Sequence, residues 1–542
     1  MKNIIKIIVI FSVVLFVGCQ NPTNSGESDP GHTSPDSGRD PLGLDGYADY
    51  TPIDSEWDGE YPEIPAEQVN NTMFQMFYWN SYPGLWSEVA GAGEHLAEIG
   101  ITSMWLPPAA KAMGGTYDVG YAVYDFWDLG EFDQKGTTAT RYGTRSELQE
   151  AIADLKALGI DSYYDVVFNH RMGGDNQEQV PTAEGDTVSA WTDFTLQGRN
   201  AHYTQDSWGD LYHDFDWDWR VFNGVDYYND TQHNNPVLFE GKLPPNTFHA
   251  DWYLMGTDVD YWYRPDGGDG DFVIRDEMQA WGRWIVEEIG FAGFRMDAIA
   301  HVPSDFTKEW VDALQYATSD DLFFVAEAWV GDVGAYLDDV DSAHLRAFDF
   351  SLRGEFVELS SGTKDMSNWG TPLIHTDARS QAVTFVDNHD TSRQGNPYNS
   401  PQVENYKNQA YAYILMREHG VPTVFARDWD EFGMAPELAR MITARRYFAY
   451  GAGHEGGGDD QVYVYTREGL SGIPGTGAVM LISGRDTGDV WSGEINSYQP
   501  DTTFVDYTGN VSGEVTTDSS GVGEFRVNLT ESTGWSIWVP QL

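Results

Sequence analysis

The chain has 542 residues, with 31 lysines and arginines against 85 aspartates and glutamates, a formal charge of −54 and a single cysteine. A surface this acidic repels phosphate backbones and anionic headgroups, which excludes nucleic acid as a partner and electrostatic docking on membranes. One cysteine excludes an internal disulfide, a thiolate zinc cluster and an iron–sulfur site, so any metal must be held by oxygen or imidazole.

With 41% hydrophobic residues the chain can build sizeable cores, and its length allows several domains or one large barrel with attachments. Taken in order, residues 1–6 carry Lys2 and Lys6, and residues 7–17 are apolar apart from Ser12. That apolar stretch, about eleven residues, is too short to cross a hydrocarbon layer of about 30 Å, so residues 1–18 read as an export signal. The signal closes at Leu15-Phe16-Val17-Gly18-Cys19, which resembles the lipobox of bacterial lipoproteins. The resemblance implies a lipid on Cys19 as the only membrane contact of an exported protein, held at the cell surface or outer membrane, or otherwise secreted. Residues 19–67 are rich in Gly, Pro, Ser, Asp and Asn, cannot offset chain entropy by burial, and read as a disordered tether.

Short apolar runs then alternate with helical patterns. Residues 73–79, 103–106, 162–168, 293–296, 322–326, 347–350, 382–386 and 422–425 are eight candidate strands. Between the second and third, Leu148, Ile152, Leu155 and Leu158 recur at helical spacing, and Gly159 follows as a plausible stop. Met278, Trp281, Ile285 and Ile289 repeat the pattern before the fourth, with Gly290 behind them. Strand alternating with helix predicts an α/β fold, a parallel (β/α)8 TIM barrel over residues 68–170 and 266–454; an open doubly wound sheet is the alternative. The gap between the third and fourth runs far exceeds a βα loop and one helix, so residues 171–265 are an inserted subdomain, irregular or β-rich. Beyond residue 455 short β-branched and aromatic runs separated by turns predict a C-terminal antiparallel β domain over 455–542.

Chemistry in such a barrel sits at the C-terminal strand ends. Four runs end in polar groups: Asp165-Val-Val-Phe-Asn169-His170, Gly293-Phe-Arg295-Met-Asp297, Ala326-Glu327-Ala-Trp329 and Phe385-Val-Asp387-Asn-His389-Asp390. Together they resemble the four signature regions of the α-amylase family, glycoside hydrolase family 13. Met73-Phe-Gln-Met-Phe-Tyr-Trp79, Met104-Trp-Leu-Pro-Pro108 and Asp128-Leu-Gly-Glu-Phe-Asp-Gln-Lys-Gly136 extend the likeness to bacterial liquefying and archaeal α-amylases.

Retaining glycoside hydrolysis needs a nucleophilic carboxylate and a protonated carboxyl about 5–5.5 Å apart. Asp297 and Glu327 end adjacent candidate strands, which suits that separation. Arg295, two residues before Asp297, should keep the aspartate ionised. Desolvation beside Trp329 should keep Glu327 protonated. Asp297 is therefore the expected nucleophile and Glu327 the expected acid/base. The resemblance implies that Asp390 is a third, transition-state-stabilising carboxylate and that Tyr121 stacks on the cleaved sugar. It also implies that His170, Arg295, His301 and His389 contact an α-glucan substrate. One departure stands out: Ala300-His301 replaces the Lys-His of the liquefying enzymes, so a cationic contact on the leaving-group side is missing.

The resemblance further implies one structural Ca²⁺ held by Asn169, Asp258 and the backbone carbonyl of His301, since calcium takes six to eight oxygen ligands. Asp214 and Asp260 resemble members of a second metal cluster. The expected activity is retaining endo-hydrolysis of α-1,4-glucans by a monomer. A related glucanotransferase, an exo-acting oligosaccharide-forming enzyme and a silent glucan-binding lipoprotein are the alternatives.

The acidic excess is spread along the chain and lysine is scarce, so salt should relieve self-repulsion. The unfolding midpoint and the activity are expected to rise from low to multimolar NaCl, and full stability without salt would overturn adaptation to saline surroundings.

Overall fold

The computed structural model describes residues 59–542 apart from 80, 82, 201–216, 245–246, 249–253, 266–269, 319–320 and 393–399. The signal, Cys19, most of the tether and Asp214 lie outside the described residues. Residues 59–67 were expected to belong to the tether. Instead the Tyr61 ring lies 4.4 Å from that of Tyr447, and its hydroxyl is 2.9 Å from that of Tyr507, so this end packs onto the body. No helix among the described residues is long and apolar enough to cross a membrane.

Eight parallel strands close into a barrel in chain order: β1 (Met73–Gln75), β2 (Ser103–Trp105), β3 (Asp161–Val166), β4 (Gly293–Met296), β5 (Phe323–Ala326), β6 (Leu345–Phe348), β7 (Ala382–Phe385) and β8 (Val421–Phe425). Closure is made at β1, where Met73 pairs with Ser103 on one side and Thr423 on the other. The principal helices following the strands are α1 (Trp86–Ile99), α2 (Arg145–Ala157), α3 (Val273–Trp284), α4 (Ser304–Ala317), α5 (Val333–Val340), α6 (Phe350–Ser360), α7 (Lys407–Met416) and α8 (Ala435–Tyr447). All eight expected strands are present, and the doubly wound alternative is excluded. The sixth lies two residues earlier than expected, because Asp349 accepts from the Leu352 N–H at 3.0 Å and so begins α6 at Phe350.

α2 starts on a reciprocal capping box between Thr144 and Glu147 and buries Leu148, Ile152 and Leu155. α3 continues through a π-helical turn, Ile285–Ile289, and stops at Gly290, whose φ of 100° suits only glycine without strain. Side-chain alternation divides each strand between two environments. On β4, Phe294 points outward, 4.8 Å from Trp310 of α4, while Arg295 points into the barrel. On β3, Tyr164 meets Trp281 of α3 at 5.3 Å, while Asp165 faces inward toward Arg295. The packed aromatic shell therefore fixes which way the polar residues face.

The insertion leaves β3 through His170–Arg171, the edge strand of a four-stranded antiparallel sheet whose order continues Thr257–Val259, Phe222–Tyr228 and Thr231–Leu238. A hairpin of Asn176–Pro181 and Thr187–Asp193 sits beside it. Arg171 is buried, donates to the Tyr124 carbonyl, and lies 4.2 Å from the Trp217 ring and 4.4 Å from that of Phe194. A guanidinium held among rings in this way pins the insertion to the barrel's upper rim. The C-terminal domain has a six-stranded antiparallel sheet and a separate two-stranded ribbon. It docks on α7 and its surroundings through Tyr463, whose hydroxyl accepts from Arg417 at 2.6 Å and whose ring lies 5.0 Å from Tyr413.

Candidate active site

The register that closes the barrel carries the site. Met296 and Ala326 are partners on β4 and β5, so the next residues, Asp297 and Glu327, leave the barrel side by side. The Asp297 N–H still donates to Val166 at 2.9 Å and the Glu327 N–H to Met296 at 3.0 Å, which fixes both backbones. Neighbouring strands lie about 4.8 Å apart.

One guanidinium joins the acids. Arg295 is fully buried; its Nη1 lies 2.6 Å from Asp165 Oδ1 and 2.8 Å from Asp297 Oδ1, and its Nη2 lies 2.7 Å from Glu327 Oε2. A cation shared among three carboxyls cannot hold all of them ionised. Burial pushes Asp297 and Glu327 up to about 7 and Asp165 up to about 6, with Arg295 pulling each of them back down. The expected rise at Glu327 is present. Asp297 departs from expectation: Arg295 does touch it, but desolvation outweighs a charge divided three ways. The acids thus titrate as a group near neutrality. Within it, Glu327 Oε2 takes the arginine and the Ala298 N–H at 3.1 Å, while Oε1 is buried with no hydrogen-bond partner among the described residues. That free oxygen is the natural seat of the shared proton. Ala298 reaches Glu327 from a left-handed backbone, φ 43°, an unusual conformation for alanine held in place by the carboxyl it serves.

A relay of hydrogen bonds orients the opposite wall. Gln75 Nε2 on β1 is 3.0 Å from His389 Nδ1, His389 Nε2 is 2.9 Å from the Tyr121 hydroxyl, and that hydroxyl donates to Asp165 Oδ2 at 2.9 Å. Gln75 and Tyr121 thus engage both ring nitrogens of His389 and fix its orientation. Tyr121 stacks on His389 at 5.3 Å and 6°, and Trp105 on β2 donates to Asp165 Oδ2 at 3.0 Å. Asp390 Oδ2 lies 3.5 Å from His389 Nε2, so the third carboxylate joins the same cluster. Its turn is held by Asn388 Oδ1, which accepts the Asp390 N–H at 3.0 Å, and by Asp387, which accepts from Arg353 at 2.9 Å and Thr391 at 2.8 Å.

Two further residues expected to contact substrate, His170 and His301, lie on the segments that follow β3 and β4. His170 Nε2 donates to the Tyr121 carbonyl at 3.0 Å and its Nδ1 faces the Asn169 amide at 3.3 Å, so protein groups engage both nitrogens. Burial lowers His170 to about 4, leaving it neutral; it props up Tyr121. His301 is half-buried and ends the turn Ile299–His301 just after Asp297, beside the buried Ala300. Asp165, Trp105 and Gln75 were not singled out from sequence. The available signal was parity: Asp165 is a charged residue at an inward position of an apolar strand and so needs a partner.

Two of the residues expected to hold calcium, Asn169 and Asp258, lie where the insertion joins the barrel. Asp258 pairs with His170 across the strands that join insertion to barrel, and the Val259 N–H donates to the Asn169 carbonyl at 3.1 Å. Asp258 is buried, accepts from Asn223 at 2.8 Å, and has no cationic side chain paired with it among the described residues. Burial pushes its carboxyl well up, with Asp260 and Asp226 adding to the rise. A buried carboxylate among like charges and neutral oxygens fits a hard cation. Of the two residues expected in a second cluster, Asp260 is paired with Lys242 at 2.6 Å and accepts the Trp262 N–H at 3.0 Å, and Asp214 lies outside the described residues. No group of three or more His, Cys, Asp or Glu side chains among the described residues is placed to hold a metal.

No family model matches the chain. It is 34% identical over 510 residues to an α-amylase of Geobacillus stearothermophilus, covering 89% of each chain. It is 34% identical over 503 residues to a glucan 1,4-α-maltohexaosidase of Bacillus sp. strain 707, covering 87% of this chain and 92% of that one. The solved α-amylase of Geobacillus thermoleovorans complexed with acarbose superposes with a TM-score of 0.55 over 85% of this chain and 93% of that chain, at 16% identity, a likeness of fold.

Because Glu327 is raised from 4.5 to about 7 on folding, the unfolded chain gives up its proton first, and stability is lost between those two pH values as pH rises. Glu327→Gln removes that loss. The variant is expected to match the parent at pH 4 and to exceed it by about 1–3 kcal/mol above pH 7, read from denaturant midpoints; an equal difference at both pH values would contradict the buried-carboxyl account.

Proposed function

The chain belongs to the α-amylase family, glycoside hydrolase family 13, and we propose that it is a retaining endo-hydrolase of α-1,4-glucosidic bonds in starch- and glycogen-type glucans. The observation that carries this reading is the adjacent pair Asp297 and Glu327 bridged by the buried Arg295. Carboxyls that leave neighbouring strands and share one guanidinium suit the close pair of double displacement, about 5–5.5 Å apart.

In the first step Asp297 attacks the anomeric carbon while Glu327 gives its proton to the departing glycosidic oxygen, leaving a glycosyl ester on Asp297. In the second, the Glu327 carboxylate takes a proton from water, the water oxygen attacks the same carbon, and Asp297 leaves with the arginine contact restored. Two inversions give net retention. Proton donation needs the free Glu327 Oε1, and nucleophilic attack needs an ionised Asp297; two acids both near 7 share one proton and meet both needs around neutral pH. Asp390 and His389 face the sugar hydroxyls, and Tyr121 supplies a flat apolar surface held by its stack on His389.

Asp258, Asn169 and the His301 carbonyl are the residues that would hold a calcium ion, whose contribution is to neutralise Asp258 and fasten the insertion to the barrel. Export with a lipid on Cys19 and action as a monomer complete the proposal, the former on the strength of the N-terminal sequence. The maltohexaosidase relative favours exo-release of long oligosaccharides as the second reading.

A blocked maltoheptaose with a chromogenic leaving group tests the mechanism. The soluble chain should release the chromophore after internal cleavage, with α-configured first products and iodine staining of starch lost faster than reducing ends appear. Glu327→Gln and Asp297→Asn should each lower kcat by about 10³-fold or more. Products of a single length cut from chain ends would transfer support to the exo reading. A calcium chelator is expected to lower the unfolding midpoint of the parent, and Asp258→Asn to lower it without further response to chelator; a parent indifferent to chelator would remove calcium from the proposal.

A further inference from the structure

Asp297 and Glu327 follow directly on the last paired residues of their strands, Met296 and Ala326. Asp390 has no such support: the pairing of β7 with β8 ends at Phe385 and Thr423, and Asp390 is the fifth residue beyond Phe385. Barrel register therefore does not fix the third carboxylate, although a displacement of about 1 Å at a reacting centre can cost about 10²-fold in rate.

The missing support comes from the segment after β8. A short helical turn there, Ala426–Trp429, carries Arg427 and Asp428 next to each other, and the two hold the turn of Asp390 on both sides. Arg427 Nη1 donates to the Ser392 carbonyl and, at 3.0 Å, to the Ser392 hydroxyl. Ser392 passes the constraint on: its N–H donates to the Asn388 carbonyl at 3.1 Å, and Asn388 Oδ1 accepts the Asp390 N–H at 3.0 Å. Asp428 works from the other side through Lys407, whose ammonium pairs with it and lies 3.2 Å from Asp387 Oδ2. Asp387 then accepts from the Thr391 hydroxyl at 2.8 Å, which closes the turn around Asp390. Ser392, Asp387 and Asp428 are all buried, so water does not compete for these contacts.

The charges behind the turn are matched. Asp387 and Asp428 face Lys407 and Arg353, and Arg427 lies 2.6 Å from Glu431. The arrangement thus fixes geometry without setting a net charge behind Asp390. We propose that Arg427 is a positioning residue for Asp390, with Asp428 and Lys407 holding the other side of the same turn. This role rests on the hydrolase reading above, in which Asp390 serves the transition state; a loss of its alignment then falls on kcat and not on KM.

A double-mutant cycle on the full chain, with the blocked maltoheptaose as substrate, tests the inference. Arg427→Met alone should lower kcat about tenfold and leave KM within about twofold. Beside Asp390→Asn the same substitution should change kcat by less than about twofold, because the group it positions is already gone. Glu431→Gln removes the other partner of Arg427 but not its hold on Ser392, and should keep the parent rate. Ser392→Ala deletes only the hydroxyl, and the cycle repeated with it should give a loss of about two- to threefold in the parent and none beside Asp390→Asn, which keeps the test independent of how well the methionine variant folds. No loss from Arg427→Met, an equal loss in both backgrounds, or a rise in KM with kcat unchanged would each overturn the positioning role and leave the hydrolase reading intact. A parent that cleaves no maltooligosaccharide would instead overturn the hydrolase reading, and the role of Arg427 with it.

Discussion

A single guanidinium at the top of the barrel, dry and pressed against three carboxyls, sets the terms for everything around it. Removing Arg295 would strand Asp165, Asp297 and Glu327 as uncompensated buried acids, a situation costing several kcal/mol per site. Keeping it supplies only one positive charge to groups that would carry three negative ones. The remainder is settled by protons, and this is why the acids are driven toward neutral pH. The chemistry of a proton donor beside a nucleophile is thus a by-product of a charge count that the fold leaves unbalanced.

The rest of the molecule holds that imbalance in place. The aromatic shell between strands and helices, with Phe294 against Trp310 and Tyr164 against Trp281, forces Arg295 and Asp165 inward by simple alternation. Tyr121, His389 and Gln75 then tether the far side of Asp165 to β1 through a chain of hydrogen bonds that fixes its orientation. Asp387, paired with Arg353, and Asn388 hold the turn of Asp390. The buried Arg171, among the insertion's aromatic rings, keeps the insertion attached to the barrel rim.

Much of this was legible in the chain. Barrel strands buried on both faces read as short apolar runs, and the acids Asp297, Glu327 and Asp390 stood out because they end such runs. The shift of the sixth strand was not legible, since apolarity cannot tell a strand residue from one claimed by a helix cap at Asp349. Gln75, Trp105 and Asp165 lie on strands that were found, yet their roles depend on closure, which brings β1, β2, β3 and β7 around one point. The second occupation of His170, by the Tyr121 carbonyl, is a tertiary contact that spacing does not encode. The pairing of Asp260 with Lys242 likewise falls in an irregular insertion without periodicity to guide it.

That last pairing has a consequence for how the insertion meets its surroundings. A bound ion is present only in proportion to its concentration outside, and it exchanges with competitors. Lys242 is a counter-charge carried on the chain itself, at 2.6 Å from Asp260 and linked to it through the backbone. Its presence is fixed by connectivity, so Asp260 meets a counter-charge that the chain itself carries.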